Sequence, residues 1–196
     1  MGGQPVGAYL LITLDSDSED QLYTLLEQAA ELVLDAGALD VLVADSPAKM
    51  RDAWAARSAF LEVIMEETKL LDECDVVVPV TKIASYLEFV NKTGEECGLV
   101  IRSFGHAGDG NLHIYECSND LTEEEFKKRV DKFFDLIYKE ASAQGGLVSG
   151  EHGIGSGKIQ YLVESICETN MALMGGIKRV FDPKMILNPG KVCYRL

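Results

Sequence analysis

The sequence predicts an α+β fold, an antiparallel sheet with helices packed on one face. Three observations point there. Short β-branched runs alternate with longer stretches whose apolar residues recur at helical spacing. Residues 98–104 and 111–117 flank a glycine-rich turn and read as a hairpin, which requires antiparallel strands. A chain of 196 residues with 47 % hydrophobic and 26 % charged residues is long enough to bury a real core.

Residues 8–15 (AYLLITLD) read as an opening strand. Ser18 is placed to cap a helix that runs through LYTLLEQAAELVLDAG until Gly37 stops it. Residues 40–45 (DVLVAD) read as a second strand, and Pro47 suits the first turn of a helix through MRDAWAARSAFLEVIMEE. DVVVPV at 75–80 is a third strand, followed by a helix over ASYLEFVNKT. After the hairpin, Thr122 before three glutamates predicts a capped amphipathic helix reaching about Ala143. Beyond Gly145 the chain is loop-like, then helical over 158–180. The tail from Asp182 onward, with two prolines and little periodicity, is expected to pack loosely and to lie against something else. The expected division is a core over 1–145 and a glycine-rich loop, helix and tail over 146–196.

Composition excludes several classes. With 18 basic against 32 acidic residues the net charge is -14, which repels a phosphate backbone and argues against nucleic acid. No apolar run approaches the ~20 residues of a membrane span, and MGGQPVGAYLL lacks a basic signal-peptide region. The five cysteines (Cys74, Cys97, Cys117, Cys167, Cys193) are scattered and never form a CxxC pair. They read as free thiols in a reducing compartment, so the expected location is cytoplasmic, with peripheral membrane attachment only through partners. GSGK at 155–158 lacks the preceding pattern of a phosphate-binding loop.

All three histidines fall in glycine-rich stretches, GHAGDGNLH (105–113) and GEHGIGSGK (150–158). With Asp109-Gly110 as a two-residue turn, Gly108 pairs with Asn111, Ala107 with Leu112 and His106 with His113. Directly opposed residues share a face, so both imidazoles can converge on one divalent ion, with Asn111 on the same side. On spacing alone, a hydrogen-bonded pair at a tight turn explains the two histidines equally well. Glu151 offers a third ligand, giving a two-histidine, one-carboxylate set that suits zinc, manganese or iron. His152 beside it can serve as acid or base, because an unperturbed imidazole titrates near neutrality. The alternative is a glycine-rich connection with incidental polar residues.

GHAGDGNLH, SGEHGIGSGK and FDPKMILNPGK occur in the order in which they occur in FAD-linked 2-hydroxy-acid oxidoreductases. WAAR (54–57) and DVVVPVTK (75–82) match two weaker motifs. The chain therefore resembles the C-terminal portion of the group containing D-lactate dehydrogenases, the glycolate oxidase D subunit and D-2-hydroxyglutarate dehydrogenase. The resemblance covers essentially the whole chain. It implies a substrate-binding cap on a ferredoxin-like sheet, with a helical tail returning to a flavin domain. Relatives carry an FAD-binding domain before the cap, and nothing comparable stands here. An excised domain or a separate FAD-binding subunit is expected, and no independent turnover.

The resemblance also implies roles. His106, His113 and Glu151 hold the metal, and His152 takes the hydroxyl proton as hydride passes to flavin. Arg57 pairs with the substrate carboxylate, a bidentate geometry lysine cannot copy. Asn111 donates to a substrate oxygen, Lys82 helps hold an anion, and Asn188 and Lys191 make flavin-side contacts. Each also has a bland reading: Arg57 and Lys82 as surface cations, Asn111 as a turn residue, NPGK as a simple turn. Some diacid-specific relatives use a lysine near the place of Glu73, so a carboxylate there favours D-lactate or glycolate over D-2-hydroxyglutarate. The implied partners are a small 2-hydroxy acid, the FAD-binding part and an electron-acceptor protein. The competing class is a metal- or organic-acid-binding module that docks onto a flavoprotein without catalysis of its own.

Overall fold

A computed structural model describes residues 7–193. Between Ala59 and Phe60 the chain divides into two compact units. The first contains α1 (Glu19–Asp35) and α2 (Pro47–Ser58). Both begin where the sequence places a cap: Ser18 Oγ accepts the Gln21 N–H at 3.2 Å and Ser46 Oγ accepts the Lys49 N–H at 3.4 Å. Gly37 ends α1 at φ 97°, where a side chain would be strained. The expected strands at 8–15 and 40–45 are not formed. Tyr9, Leu10 and Leu42 are exposed there. Apolar β-branched sequence makes a strand only when another strand pairs with it, and none does among the described residues.

The second unit contains α3 (Phe60–Glu67), β1 (Leu70–Val77), α4 (Ile83–Cys97), β2 (Val100–His106), β3 (Asn111–Ser118), α5 (Glu123–Ala143), α6 (Ile159–Ser165) and α7 (Glu168–Phe181). The helix expected through residue 67 is interrupted at Ala59, and that expected over 158–180 at Ile166, which is extended. The three strands form an antiparallel sheet in the order β1-β3-β2, so the fold is α+β as the sequence implied. β1 and β2 run parallel on either side of β3, linked by α4: a split βαβ unit. Beside β1, where a further edge strand would lie, Leu147 makes one isolated bridge to Val77.

β1 starts earlier than the sequence suggests and stops earlier too. Leu70 to Glu73 are recruited by pairing with Ser118 to Tyr115, although Asp72 and Glu73 are poor strand formers. Pro79, without an N–H, ends the ladder, and Val80–Lys82 turn as a 3-10 helix.

The core lies between the sheet and the helices α4 and α5. Cys74, Val76, Leu112 and Ile114 point into it and meet Tyr86 and Val90 of α4 with Phe126, Val130, Phe133 and Ile137 of α5. The two helices are also joined by the Tyr86 hydroxyl, which donates to the Ile137 carbonyl at 2.9 Å. Thr122 caps α5 as expected, accepting the Glu125 N–H at 3.3 Å. α6 reaches α5 through Tyr161, whose hydroxyl donates to Asp135 at 2.9 Å and whose ring lies 4.3 Å from that of Tyr138. Since side chains alternate along a strand, the opposite face carries Glu73 and Asp75 of β1, Phe104 and His106 of β2, and Asn111, His113 and Tyr115 of β3.

The described part of the tail, residues 182–193, makes polar contacts that its sequence does not announce. Asp182 is buried and accepts the N–H groups of Ile186 and Leu187, both at 3.0 Å. Lys178 joins it at 3.0 Å, and Val192 N–H donates to Gly155 O at 2.7 Å. A carboxylate folding the next five residues around itself gives order without hydrophobic periodicity.

Candidate metal and active site

The hairpin differs from the expected one in a way that matters for the site. His106 pairs with Asn111, Gly105 with Leu112 and Phe104 with His113, leaving a four-residue loop, Ala107 to Gly110. The expected direct pairing of His106 with His113 is therefore wrong by two residues. Asp109 does not sit at the centre of a two-residue turn; its carboxylate accepts the Asn111 N–H at 2.9 Å, while Gly110 N–H returns to His106 O at 3.0 Å. A slip of two preserves the face of every side chain. His106 and His113 thus remain neighbours, with ring centroids 5.8 Å apart.

Glu151 completes this pair. Its Oε1 is 2.9 Å from His113 Nε2 and 3.7 Å from His106 Nε2, and one ligand atom from each residue lies within 4.8 Å of the others. Those separations bring two nitrogens and an oxygen close enough together that they would hold one ion between them. Two imidazoles and a carboxylate form a donor set of the right chemistry for a divalent transition metal. His152 stacks on His113, with centroids 4.7 Å apart and planes 28° from parallel.

The loop that delivers Glu151 and His152 is held by Asp75, whose part in the site the sequence reading missed. The Asp75 carboxylate is completely buried and accepts Ser149 Oγ at 2.7 Å, Gly150 N–H at 2.7 Å, Glu151 N–H at 3.4 Å and His152 N–H at 2.8 Å. Lys158 Nζ stands 3.6 Å away, so the lysine of GSGK faces this carboxylate. Burial pushes the Asp75 pKa up, but the Ser149 hydroxyl, the Gly150 and His152 amides and the Lys158 charge together bring it down to about 2. A signal was present: an aspartate at the head of a β-branched strand has to find donors if that strand is buried.

Glu73 was read as a substrate-facing residue. It also touches the histidines: its Oε1 is 3.1 Å from His152 Nδ1 and 3.4 Å from His113 Nδ1, and accepts the Tyr115 hydroxyl at 3.2 Å. Burial opposes its ionisation, yet His113, the charge of His152 and Tyr115 outweigh that and hold its carboxyl below the usual range. The Glu73 contact in turn raises His113 above an ordinary imidazole, against the opposing effect of burial.

Asn111 lies on the same face, buried, with its side-chain oxygen lacking a hydrogen-bond partner among the described residues. Gly150 is pressed against it: a Cβ there would sit 2.3 Å from that oxygen. Only glycine allows so close an approach. Arg57 is half-buried in the last turn of α2, within the first unit, whereas the cluster above belongs wholly to the second. Lys82 is exposed at the end of the 3-10 turn, and Asn188 and Lys191 are exposed in the tail turn. Asn188 holds a left-handed φ of 46°.

These features define an α+β domain with a histidine–carboxylate centre on the sheet face opposite α4 and α5. Residues 2–192 match the family of FAD linked oxidases, C-terminal domain, and the chain belongs to that family. It is 59 % identical over 194 residues to a D-lactate dehydrogenase of Anaerostipes hadrus, covering 99 % of this chain and 41 % of that one. It is 31 % identical over 193 residues to glycolate oxidase subunit GlcD of Bacillus subtilis (97 % and 40 % covered). A D-2-hydroxyglutarate dehydrogenase of Stutzerimonas stutzeri is 29 % identical over 187 residues (94 % and 40 %). The chain thus spans about two fifths of the length of these curated relatives. No helix among the described residues is long and apolar enough to cross a membrane.

Proposed function

We propose that this chain is the substrate- and metal-binding part of an FAD-dependent dehydrogenase that converts D-lactate or glycolate to the 2-oxo acid. The observation that carries the reading is the convergence of His106, His113 and Glu151, with His152 stacked beside them. In this reading residues 1–145 supply the substrate-binding cap core, and 146–196 supply the active-site loop and the tail directed to the FAD-binding part.

His106, His113 and Glu151 would hold a divalent ion. When bound, the ion supplies Lewis acidity toward the 2-hydroxyl and carboxylate oxygens of the substrate, and FAD accepts the hydride. His152 takes the hydroxyl proton, which leaves as the hydrogen on the second carbon departs with its electron pair. Arg57 pairs with the substrate carboxylate and Asn111 donates to a substrate oxygen. Glu73 places negative charge on this face, which disfavours the second carboxylate of a diacid. Asn188 and Lys191, both exposed, would make contacts on the flavin side. Docking of an FAD-binding part suits α7 and the tail: Leu173, Ile177, Val180 and Phe181 fall on one helical face and are exposed, as are Ile186 and Leu187. An electron-acceptor protein is the further partner that this reading would require.

The test joins this chain to the FAD-binding part of a close relative and follows flavin bleaching on mixing with D-lactate, glycolate or D-2-hydroxyglutarate. Reduction by one of the two monoacids at least tenfold faster than by the diacid is expected. Preference for the diacid would reverse the substrate assignment, and no reduction by any of them would favour a binding module without catalysis.

A further inference from the structure

Glu73 is not needed to complete the proposed metal cluster, yet three groups converge on one of its oxygens: His152 Nδ1 at 3.1 Å, His113 Nδ1 at 3.4 Å and the Tyr115 hydroxyl at 3.2 Å. The His113 side chain is only 6 % exposed, and its Nδ1 has no hydrogen-bond partner among the described residues, the Glu73 oxygen standing 3.4 Å away outside hydrogen-bonding geometry. An ionised carboxylate accepts hydrogen bonds and donates none. In His113 the same rule places the hydrogen on Nε2, 2.9 Å from Glu151, until an ion takes that nitrogen and moves the hydrogen to Nδ1, on the Glu73 side. In His152 the 3.1 Å contact of Nδ1 with Glu73 places the hydrogen on Nδ1 and the lone pair of the neutral ring on Nε2.

Glu73, His113 and His152 also lie close enough together to resemble a second cation site. Two ions would have to share His113 through both ring nitrogens, which requires an imidazolate. One ion with a carboxylate behind its histidine ligand needs no such deprotonation.

We propose that Glu73 is a positioning residue: with the ion bound, it holds His113 and His152 as Nδ1–H tautomers, keeping Nε2 of the first for the ion and Nε2 of the second for the substrate proton. The assignment rests on the metal reading above and deepens it. One carboxylate thereby couples the group that binds the ion to the group that moves the proton. It sits on β1, a rigid element, and its hold on His113 is backed by burial of that ring.

The experiment uses the whole chain with ¹⁵N-labelled histidine and one equivalent of Zn²⁺ at pH 8.5. Two- and three-bond ¹H–¹⁵N correlations should show protonated Nδ1 in both His113 and His152, with His113 Nε2 metal-bound. An Nε2–H tautomer in either residue of the unmodified, Zn²⁺-loaded chain overturns the proposal without recourse to any variant. In Glu73→Gln, Zn²⁺ affinity measured by calorimetry should fall about 10–100-fold at an unchanged stoichiometry of about one. The visible bands of the Co²⁺-loaded protein should stay where they are. Unchanged affinity, a shifted Co²⁺ spectrum (Glu73 as a ligand) or two ions per chain would each overturn it. If the unmodified chain takes up no metal at all, the functional reading fails first, and the two failures are thereby distinguished.

Discussion

Asp75 on β1 and His152 in the loop after Leu147 are joined by a 2.8 Å hydrogen bond from the His152 backbone N–H to the Asp75 carboxylate. Three more donors from the same loop reach that carboxylate. The proposed catalytic loop is therefore folded around a single buried charge. Asp75→Asn should free the amides of residues 149–153 to exchange with solvent much faster, while those of β3 stay protected. Charged hydrogen bonds of this kind are worth about 1.5–3 kcal/mol each, so overall stability should fall by at least ~2 kcal/mol. Equal protection in the variant would show that the loop holds itself.

The same carboxylate sets an acid dependence. Asp75 titrates at about 2 in the folded chain against an ordinary 3.8. As pH falls the unfolded chain takes up this proton first. The stabilisation is complete well above pH 3.8 and is lost as pH falls through that value to about 2. Its size is on the order of 2 kcal/mol. Urea unfolding of metal-free protein should show a gap between parent and Asp75→Asn that narrows from pH 6 to pH 2.5. A gap independent of pH would contradict the assignment.

Gly110 tests the hairpin loop. It holds φ 82°, and a Cβ there would lie 1.9 Å from the Val78 carbonyl oxygen. Gly110→Ala is expected to cost about 1–3 kcal/mol, because the obstacle is backbone and the dihedral is strained. Gly108→Ala, with nothing within 4 Å of its Cβ, should cost far less. Similar thermal midpoints for the two variants would show that the loop is not built as described.

The metal assignment predicts uptake of about one zinc or manganese per chain after dialysis and titration, measured by elemental analysis. Replacing His106, His113 and Glu151 together by alanine should abolish it. Retained tight binding in the triple variant would place the ion elsewhere.

Local signals were legible in the sequence and pairing was not. Ser18, Gly37 and Thr122 act on their own next turn, and each was read correctly. The runs at 8–15 and 40–45 have strand composition, but a strand is decided by a partner distant in sequence, and none pairs with them. The grouping of His106, His113 and Asn111 survived a wrong register because the error was an even number of residues. The part of Asp75, and the contact of Glu73 with the histidines, escaped because their partners, Ser149 to His152 and His113, are brought to β1 only by the fold. Arg57, Asn188 and Lys191 came from motif resemblance, and no distance within the second unit's cluster bears on Arg57.

The central claim is that His152 removes the substrate's proton. Its most direct test is His152→Ala in this chain joined to an FAD-binding part, with flavin reduction followed by stopped flow under D-lactate and glycolate. Metal content and FAD occupancy are to be matched to the parent. Loss of a general base should slow reduction by about 10²–10⁴-fold. Reduction within a few-fold of the parent for both substrates would contradict it.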